Sequence, residues 1–175
     1  MRIRSAVLSD AQAILGIYAP YITDTCISFE TEVPSIEEFG TRIEKIKLDY
    51  PYLVCESDGK VAGFAYASKH RERAAYRYSV DVSVYVAPAY QRQGIGSALY
   101  TELFEQLCGQ SIYTVFAGIA LPNDNSTALH KKFGFAQVGI YHNVGYKMGR
   151  WLDVMWMEKP LAVYNIPEVK SERFI

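Results

Sequence analysis

The feature that most constrains this chain is Gln91-Arg92-Gln93-Gly94-Ile95-Gly96, set between two segments of opposite periodicity. Before it, Val80-Asp81-Val82-Ser83-Val84-Tyr85-Val86 alternates with period two and reads as a strand. After it, Leu99, Leu103 and Leu107 form one stripe with Phe104 beside it, the pattern of a helix over 97–108. The chain must therefore pass from strand to helix through a tight glycine turn. Such a turn directs unpaired backbone N–H groups at one point, with the positive helix end behind them, and makes an anion site. The expected occupant is the pyrophosphate of a nucleotide-like cofactor.

At 175 residues the chain suffices for one domain with a substantial core. Its 18 basic and 19 acidic residues offer no broad cationic surface, which argues against nucleic acid as a main partner. Met1-Arg2-Ile3-Arg4 is basic, but Asp10 and Gln12 interrupt before any apolar stretch, so no signal peptide is predicted. No run long enough to span a membrane occurs either. Cys26, Cys55 and Cys108 lack metal-ligand spacing, so the expectation is a reduced, cytoplasmic protein with no metal site.

Periodicity and breakers predict a strand over Ile3–Ala6, then a helix from Asp10 to Tyr18 capped by Ser9 and broken or bent at Pro20. A loop over Asp24–Pro34 precedes a helix capped by Ser35, with Glu38 at the capping-box position. Strands Tyr52–Glu56 and Val61–Ala67 form a hairpin around Asp58-Gly59, and a third strand from Arg77 or Tyr78 to Val86 lies beside them. Further on come a buried central strand over Ile112–Ile119 and a helix over Ser126–Lys132. The last elements are strands Ala136–Tyr146, bulged at Gly139 or Gly145, and Leu152–Glu158. Residues 1–160 form one domain in this reading, with 161–175 a tail that is flexible or lies at a dimer contact. The order excludes repeated βαβ units. A Rossmann site is excluded because the glycine turn follows the fourth strand and lacks an acidic residue some 20 positions later. A Walker loop is excluded because no Gly-Lys-Ser/Thr follows.

Gln91 to Gly96 matches the Gln/Arg-x-x-Gly-x-Gly/Ala pyrophosphate loop of the GNAT N-acetyltransferase superfamily. The segment Asn123-x-x-Ser126-x-x-Leu129-His130-x-x-Phe133-Gly134-Phe135 matches its second cofactor region. Within that superfamily the chain resembles the phosphinothricin and methionine sulfoximine or sulfone acetyltransferases. The shared points are Ser28-Phe29-Glu30, Tyr50-Pro51, Ser83-Val84-Tyr85-Val86, Leu121-Pro122-Asn123-Asp124, Val144-Gly145-Tyr146-Lys147 and Gly149-Arg150-Trp151-Leu152-Asp153. The resemblance implies a mixed α/β (α+β) fold, with a mostly antiparallel sheet splayed at the fourth strand and flanked by helices. It also implies acetyl-CoA as cosubstrate, a small amino-acid acceptor, and a homodimer built through the C-terminal strands near Trp151. Val84, Tyr85, Val86, Gln91, Arg92, Gln93, Gly94, Ile95, Gly96, Ser97, Asn123, Ser126 and Lys132 are the implied cofactor contacts.

For catalysis the resemblance points to Asp81 and Glu30 as groups that take the amine proton, directly or through water. It points to His130 as the acid for the departing thiolate, with Tyr85, Tyr141 or Tyr146 as stand-ins. Phe29, Glu30, Arg71, Arg73, Tyr85 and Tyr146 are the implied acceptor contacts, with Arg77 a rival carboxylate clamp. Read without the resemblance, Asp81 is an edge-strand acid, His130 a packed helix residue, Asn123 a helix cap, and Lys131 and Lys132 solvated cations. No cysteine or serine sits in a nucleophile motif, which favours direct amine attack over a covalent intermediate. A polyamine, aminoglycoside or peptide acetyltransferase is the first alternative, against which Arg71, Arg73 and Arg77 argue. A non-catalytic CoA-binding module is the second.

Overall fold

In the computed structural model, which describes residues 1–164, seven strands form one sheet in the order β1-β2-β3-β4-β5-β7-β6. The strands are β1 Arg2–Ser5, β2 Tyr52–Ser57, β3 Lys60–Lys69, β4 Ser79–Val86, β5 Thr114–Ala120, β6 Ala136–Lys147 and β7 Arg150–Pro160. The helices are α1 Ala11–Thr23, α2 Ile36–Lys47, α3 Ile95–Gly109 and α4 Asp124–Lys132. β4 and β5 run parallel, and every other neighbouring pair is antiparallel.

Local chemistry explains most of these elements. Asp58 (φ 52°) and Gly59 (φ 72°) both take left-handed backbone, the turn that matches strand twist in a two-residue hairpin. Ser35 accepts the Glu38 N–H at 3.1 Å and starts α2, while the Glu38 carboxylate turns instead to Arg42 at 2.9 Å. Strand alternation then sorts side chains between two cores. Leu53, Ala65, Val80, Val82 and Val115 meet Leu99, Leu103 and Leu107 of α3. Tyr52, Val54 and Phe64 face Ile14, Ile22, Phe39 and Ile43 of α1 and α2.

Two expectations near the N-terminus fail. Ser9 does not cap the first helix; a 3-10 turn over Leu8–Asp10 precedes it, and the Asp10 carboxylate accepts the Val7 N–H at 2.8 Å. The same carboxylate takes a two-pronged contact from Arg4 at 2.6 and 2.8 Å. Pro20 does not end α1, which runs on to Thr23. An internal proline costs a helix roughly 3 kcal/mol, but Ile17 and Tyr18 before it and Ile22 after it are all buried on one continuous face. β6 and β7 slip register at Gln137/Gly139 and at Tyr141/Gly145, at both anticipated glycines. Leu161 and Tyr164 pack on the start of β5, the Leu161 N–H meeting Tyr113 O at 2.8 Å. The remainder of the anticipated tail lies outside the described residues.

The decisive irregularity is in the middle of the sheet. β4 and β5 pair only through Ser79–Thr114, Val80–Val115 and Asp81–Phe116, although β4 continues to Val86 and β5 to Ala120. Beyond Asp81 the strands part and leave a wedge-shaped gap.

Candidate active site

The gap opens into a cleft of about 310 Å³ whose walls include Val84–Val86, Gln91, Arg92, Gly94–Ser97, Asn123 and Ser126. A smaller cavity of about 60 Å³ continues it toward the fork, past Ser83, Gly118, Tyr100 and His130. Val84, Tyr85, Asn123 and Ser126 line both, so the two volumes form one channel from the glycine turn to the point where the strands part.

At the outer end, Gly94 is the residue before α3, with φ 84° and no side-chain cap. Arg92 is also left-handed at φ 58°, which costs a non-glycine residue about 1–2 kcal/mol. Strain of this kind is concentrated at functional turns. The first N–H groups of α3 have no intrahelical acceptor, and here no side chain supplies one. They can therefore receive an anion's oxygens. A Cβ on Gly96 would lie 3.4 Å from Leu129 Cδ2 and 3.8 and 3.9 Å from the Val86 and Val84 methyls, inside the cleft mouth. Backbone and ligand can approach there because that atom is missing.

The inner wall is unpaired strand. Ala87 N–H donates to Ala62 O at 2.9 Å, and in an antiparallel ladder successive residues turn their polar groups to opposite sides. Val84 and Val86 thus aim N–H and C=O away from β3, into the gap. The Tyr21 hydroxyl donates to Val86 O at 2.7 Å, and Gln91 Nε2 donates to that hydroxyl at 3.3 Å. Asn123 Oδ1 accepts Ser126 N–H at 3.1 Å, so the asparagine caps α4 while lining the channel. Gln93 Nε2 folds back on Ala89 O at 3.1 Å, whereas Lys132 Nζ reaches the cleft rim, meeting Ser97 Oγ at 3.3 Å.

Among the expected catalytic groups, Asp81 sits at the fork, its Cα opposite Phe116 in the last paired position. Burial raises its carboxyl pKa, opposed by a 2.6 Å hydrogen bond from His70 Nδ1. Two other expected groups are already bonded to protein partners. Glu30 accepts Tyr18 Oη at 2.9 Å on one oxygen and Arg42 Nη1 at 2.9 Å on the other, so its charge is matched by α2. His130 is 3% exposed and pushed toward the neutral form by burial. Ser126 O can only accept, so Nδ1 carries the proton at 2.7 Å, and Nε2 accepts from Tyr100 Oη at 2.9 Å. Both ring nitrogens are thus engaged by the protein, and Tyr100 stands between Nε2 and its surroundings on that side.

The acceptor residues also divide. Phe29 lies flat on Gly145 of β6, its ring filling the space a side chain there would need. The Asp24–Pro34 loop is held further by Lys147, whose buried Nζ donates to Ser28 O at 2.7 Å. Tyr85 walls the channel, packed 5.0–5.1 Å from Tyr18, Tyr21 and Phe64, and burial holds its phenol well above the usual value. Tyr146, next in the pleat after Gly145, is 60% exposed and lies against Trp151, ring centroids 5.3 Å apart. Of the arginines, Arg71 lies over the Trp156 ring at 5.8 Å and Arg77 over Tyr78 at 4.9 Å, while Arg73 is exposed in the turn before Ala74.

Sequence reasoning missed Tyr21, Tyr100 and His70. Tyr21 and Tyr100 sit at ordinary helix positions, and nothing in their spacing separates them from core. His70 is in a charged connection eleven residues before Asp81, and only the β3–β4 pairing brings the two together.

The chain matches the model of the acetyltransferase (GNAT) domain over residues 3–156. It is 39% identical over 165 residues to a phosphinothricin N-acetyltransferase of Streptomyces coelicolor, covering 92% of this chain and 96% of that protein. It is 34% identical over 171 residues to an L-methionine sulfoximine/L-methionine sulfone acetyltransferase of Salmonella typhimurium, covering 96% of this chain and 99% of that protein. A crystal structure of a phosphinothricin acetyltransferase from Sinorhizobium meliloti in complex with acetyl-CoA superposes with a TM-score of 0.88 at 36% identity, covering 91% and 87% of the two chains. An acetyltransferase from Salmonella typhimurium with its cofactor acetyl-CoA gives 0.92 at 33%, covering 97% and 98%. With a sheet forked at its fourth strand, an uncapped glycine turn at the mouth of the fork, and these likenesses along nearly its whole length, the chain belongs to the GNAT acetyltransferase family.

Proposed function

We propose that this protein moves an acetyl group from acetyl-CoA to the α-amine of a small amino acid with a compact polar tip, such as phosphinothricin, methionine sulfoximine or methionine sulfone. The observation that carries the reading is the channel, which runs from an anion-receiving helix start to Val82 and Ser83, the residues that follow Asp81 where β4 and β5 part. The residues present fit acetyl-CoA: free N–H groups at α3 suit a pyrophosphate, and the unpaired edge of Val84 and Val86 suits an amide-bearing arm that pairs as a strand would. Bound there, the cosubstrate supplies an activated thioester carbonyl.

The chain's own groups then have defined tasks. A backbone N–H of Val84 or Val86 is directed where charge develops on the carbonyl oxygen. Asp81, with the His70 ring bonded to it at 2.6 Å, belongs to the basic centre that relieves the acceptor amine of its proton. Arg71, bonded to the His70 carbonyl, lying over Trp156 and close enough to act on the Asp81 charge, is the choice for the acceptor's carboxylate. The acceptor is thereby held for direct attack, with its entropy cost met on binding.

The remaining parts of the reading concern context. No helix among the described residues is long and apolar enough to cross a membrane, and three free cysteines suit a reducing, cytoplasmic setting. Exposed Tyr141, Val144, Tyr146 and Trp151 on the last hairpin make an apolar surface suited to a second copy of the chain. The test is thiol release from acetyl-CoA across an amino-acid panel. Turnover with methionine sulfone, methionine sulfoximine and phosphinothricin, and little with spermidine or a histone peptide, is the expected result. The reverse preference would overturn the acceptor assignment.

A further inference from the structure

His70 ends the third strand's connection in an unusual setting. Its ring stacks on Phe116 of β5 with centroids 4.3 Å apart and planes within 15°. The edges of Tyr76 and Trp156 close two further sides, at 5.8 and 6.2 Å. Nδ1 lies 2.6 Å from Asp81 Oδ1, and the imidazole side chain keeps only 11% of its surface exposed. The stack fixes the ring plane and the carboxylate fixes its rotation, while the fork of β4 and β5 begins at the residue it is bonded to.

We propose that His70 is the proton acceptor for the incoming amine, and that Asp81 is its positioning partner rather than the base itself. The inference rests on the amine-acetylation reading above. With Asp81 ionised, the hydrogen bond selects the tautomer protonated at Nδ1 and leaves the Nε2 lone pair available. In the step, an N–H bond of the acceptor ammonium breaks, its electron pair stays on nitrogen, and an Nε2–H bond forms. The resulting imidazolium is stabilised by the adjacent carboxylate, and its proton passes to solvent or to the departing thiolate. No oxidant or reductant is involved.

The division of labour has a physical reason. A carboxylate is a weak base toward an ammonium at neutral pH, whereas an imidazole paired with a carboxylate is matched to that range. The surroundings set few competing charges. On the loop, Arg71 Nη1 bonds the His70 carbonyl at 2.8 Å, and Glu72 is paired with Lys69 at 3.2 Å. β3 contributes the Tyr66 phenol, and the 3-10 turn contributes Tyr76. β5 and β7 contribute the apolar rings of Phe116 and Trp156, with exposed Glu158 opposite Phe116 in the same row.

The test uses His70→Asn, whose amide N–H can still reach Asp81 while nothing stands in for Nε2. With methionine sulfone as acceptor, kcat is expected to fall about 10²–10³-fold, while acetyl-CoA affinity by calorimetry stays at the wild-type value and the apo melting point drops by a few degrees for the lost ring packing. The acidic limb of the wild-type kcat profile should give way to a slow climb that follows the acceptor's own free amine. Nitrogen-15 NMR of the labelled wild-type protein, with His70 assigned by its loss in the variant among three histidines, should show Nδ1 protonated and Nε2 not. A variant with wild-type kcat and an unchanged limb, or a His70 protonated at Nε2 instead, overturns the inference alone. Wild-type protein that binds acetyl-CoA but acetylates no amine removes the underlying functional reading as well.

Discussion

Replacing Gly96 with alanine separates the stability of the protein from the use of its channel, because the two should move in opposite directions. Gly96 lies in the first turn of α3 and its φ is not left-handed, so alanine meets no backbone strain there. The added methyl would touch Leu129, Val86 and Val84 at 3.4–3.9 Å, ordinary contact distances. Removing glycine's excess freedom from a helix stabilises by roughly 0.5–1 kcal/mol. For a chain of this size that raises the melting temperature by about 1–4 °C. The same methyl enters the cleft mouth, where an arm threaded along Val84 and Val86 must pass. Overpacking a close contact costs about 1–3 kcal/mol, which weakens acetyl-CoA binding roughly 5- to 150-fold. Scanning calorimetry without ligand and titration calorimetry with acetyl-CoA measure the two terms. A variant that melts higher yet binds acetyl-CoA as tightly as the parent would refute the channel as the cofactor site. One that melts several degrees lower would refute the packing argument.

Three further outcomes follow from the geometry. Asp81→Asn should lower kcat about 10²-fold, because the His70 ring loses the carboxylate that holds its tautomer and stabilises its charged form; a variant with wild-type kcat would remove Asp81 from the mechanism. Asp10→Asn should destabilise the fold by about 1–3 kcal/mol, since it weakens the two-pronged Arg4 contact and the Val7 N–H bond. The Arg4 contact lowers the folded Asp10 pKa below its model-peptide value of 3.8, so this stabilisation is present above that pH and is lost as pH falls through the lower folded value; urea titrations from pH 7 downward that show the same variant-to-parent difference throughout would contradict it. For the dimer proposed above, Trp151→Glu should give a monomer in sedimentation velocity, because its ring is 63% exposed on the last hairpin; a parent that already sediments as a monomer, or a variant that stays dimeric, would overturn that contact.

Elements governed by neighbours in the chain were legible from residues alone. The Asp58-Gly59 hairpin, the Ser35 cap, the turn at Gly94 and the bulges at Gly139 and Gly145 each depend on backbone preferences within a few positions. So did most of the channel's outer end, since free N–H groups at a helix start follow from where the helix begins. The register of the C-terminal hairpin, by contrast, decided that Phe29 meets Gly145 while Tyr146 turns away beside Trp151.

Pro20 shows the limit from the other side: its local cost is real, but the apolar face of α1 extends past it and burial outweighs the lost hydrogen bond. The ionisable groups were the least legible. Glu30, His130 and Asp81 have the same side chains in any setting, and what each is bonded to depends on which partner the fold delivers: Arg42, Tyr100 and His70 respectively. Patterns of apolar residues report which face is buried, and glycine reports where the backbone must turn. A proton's position depends on distances of a few ångströms between residues far apart in the chain, and those are set only when the sheet has closed and split.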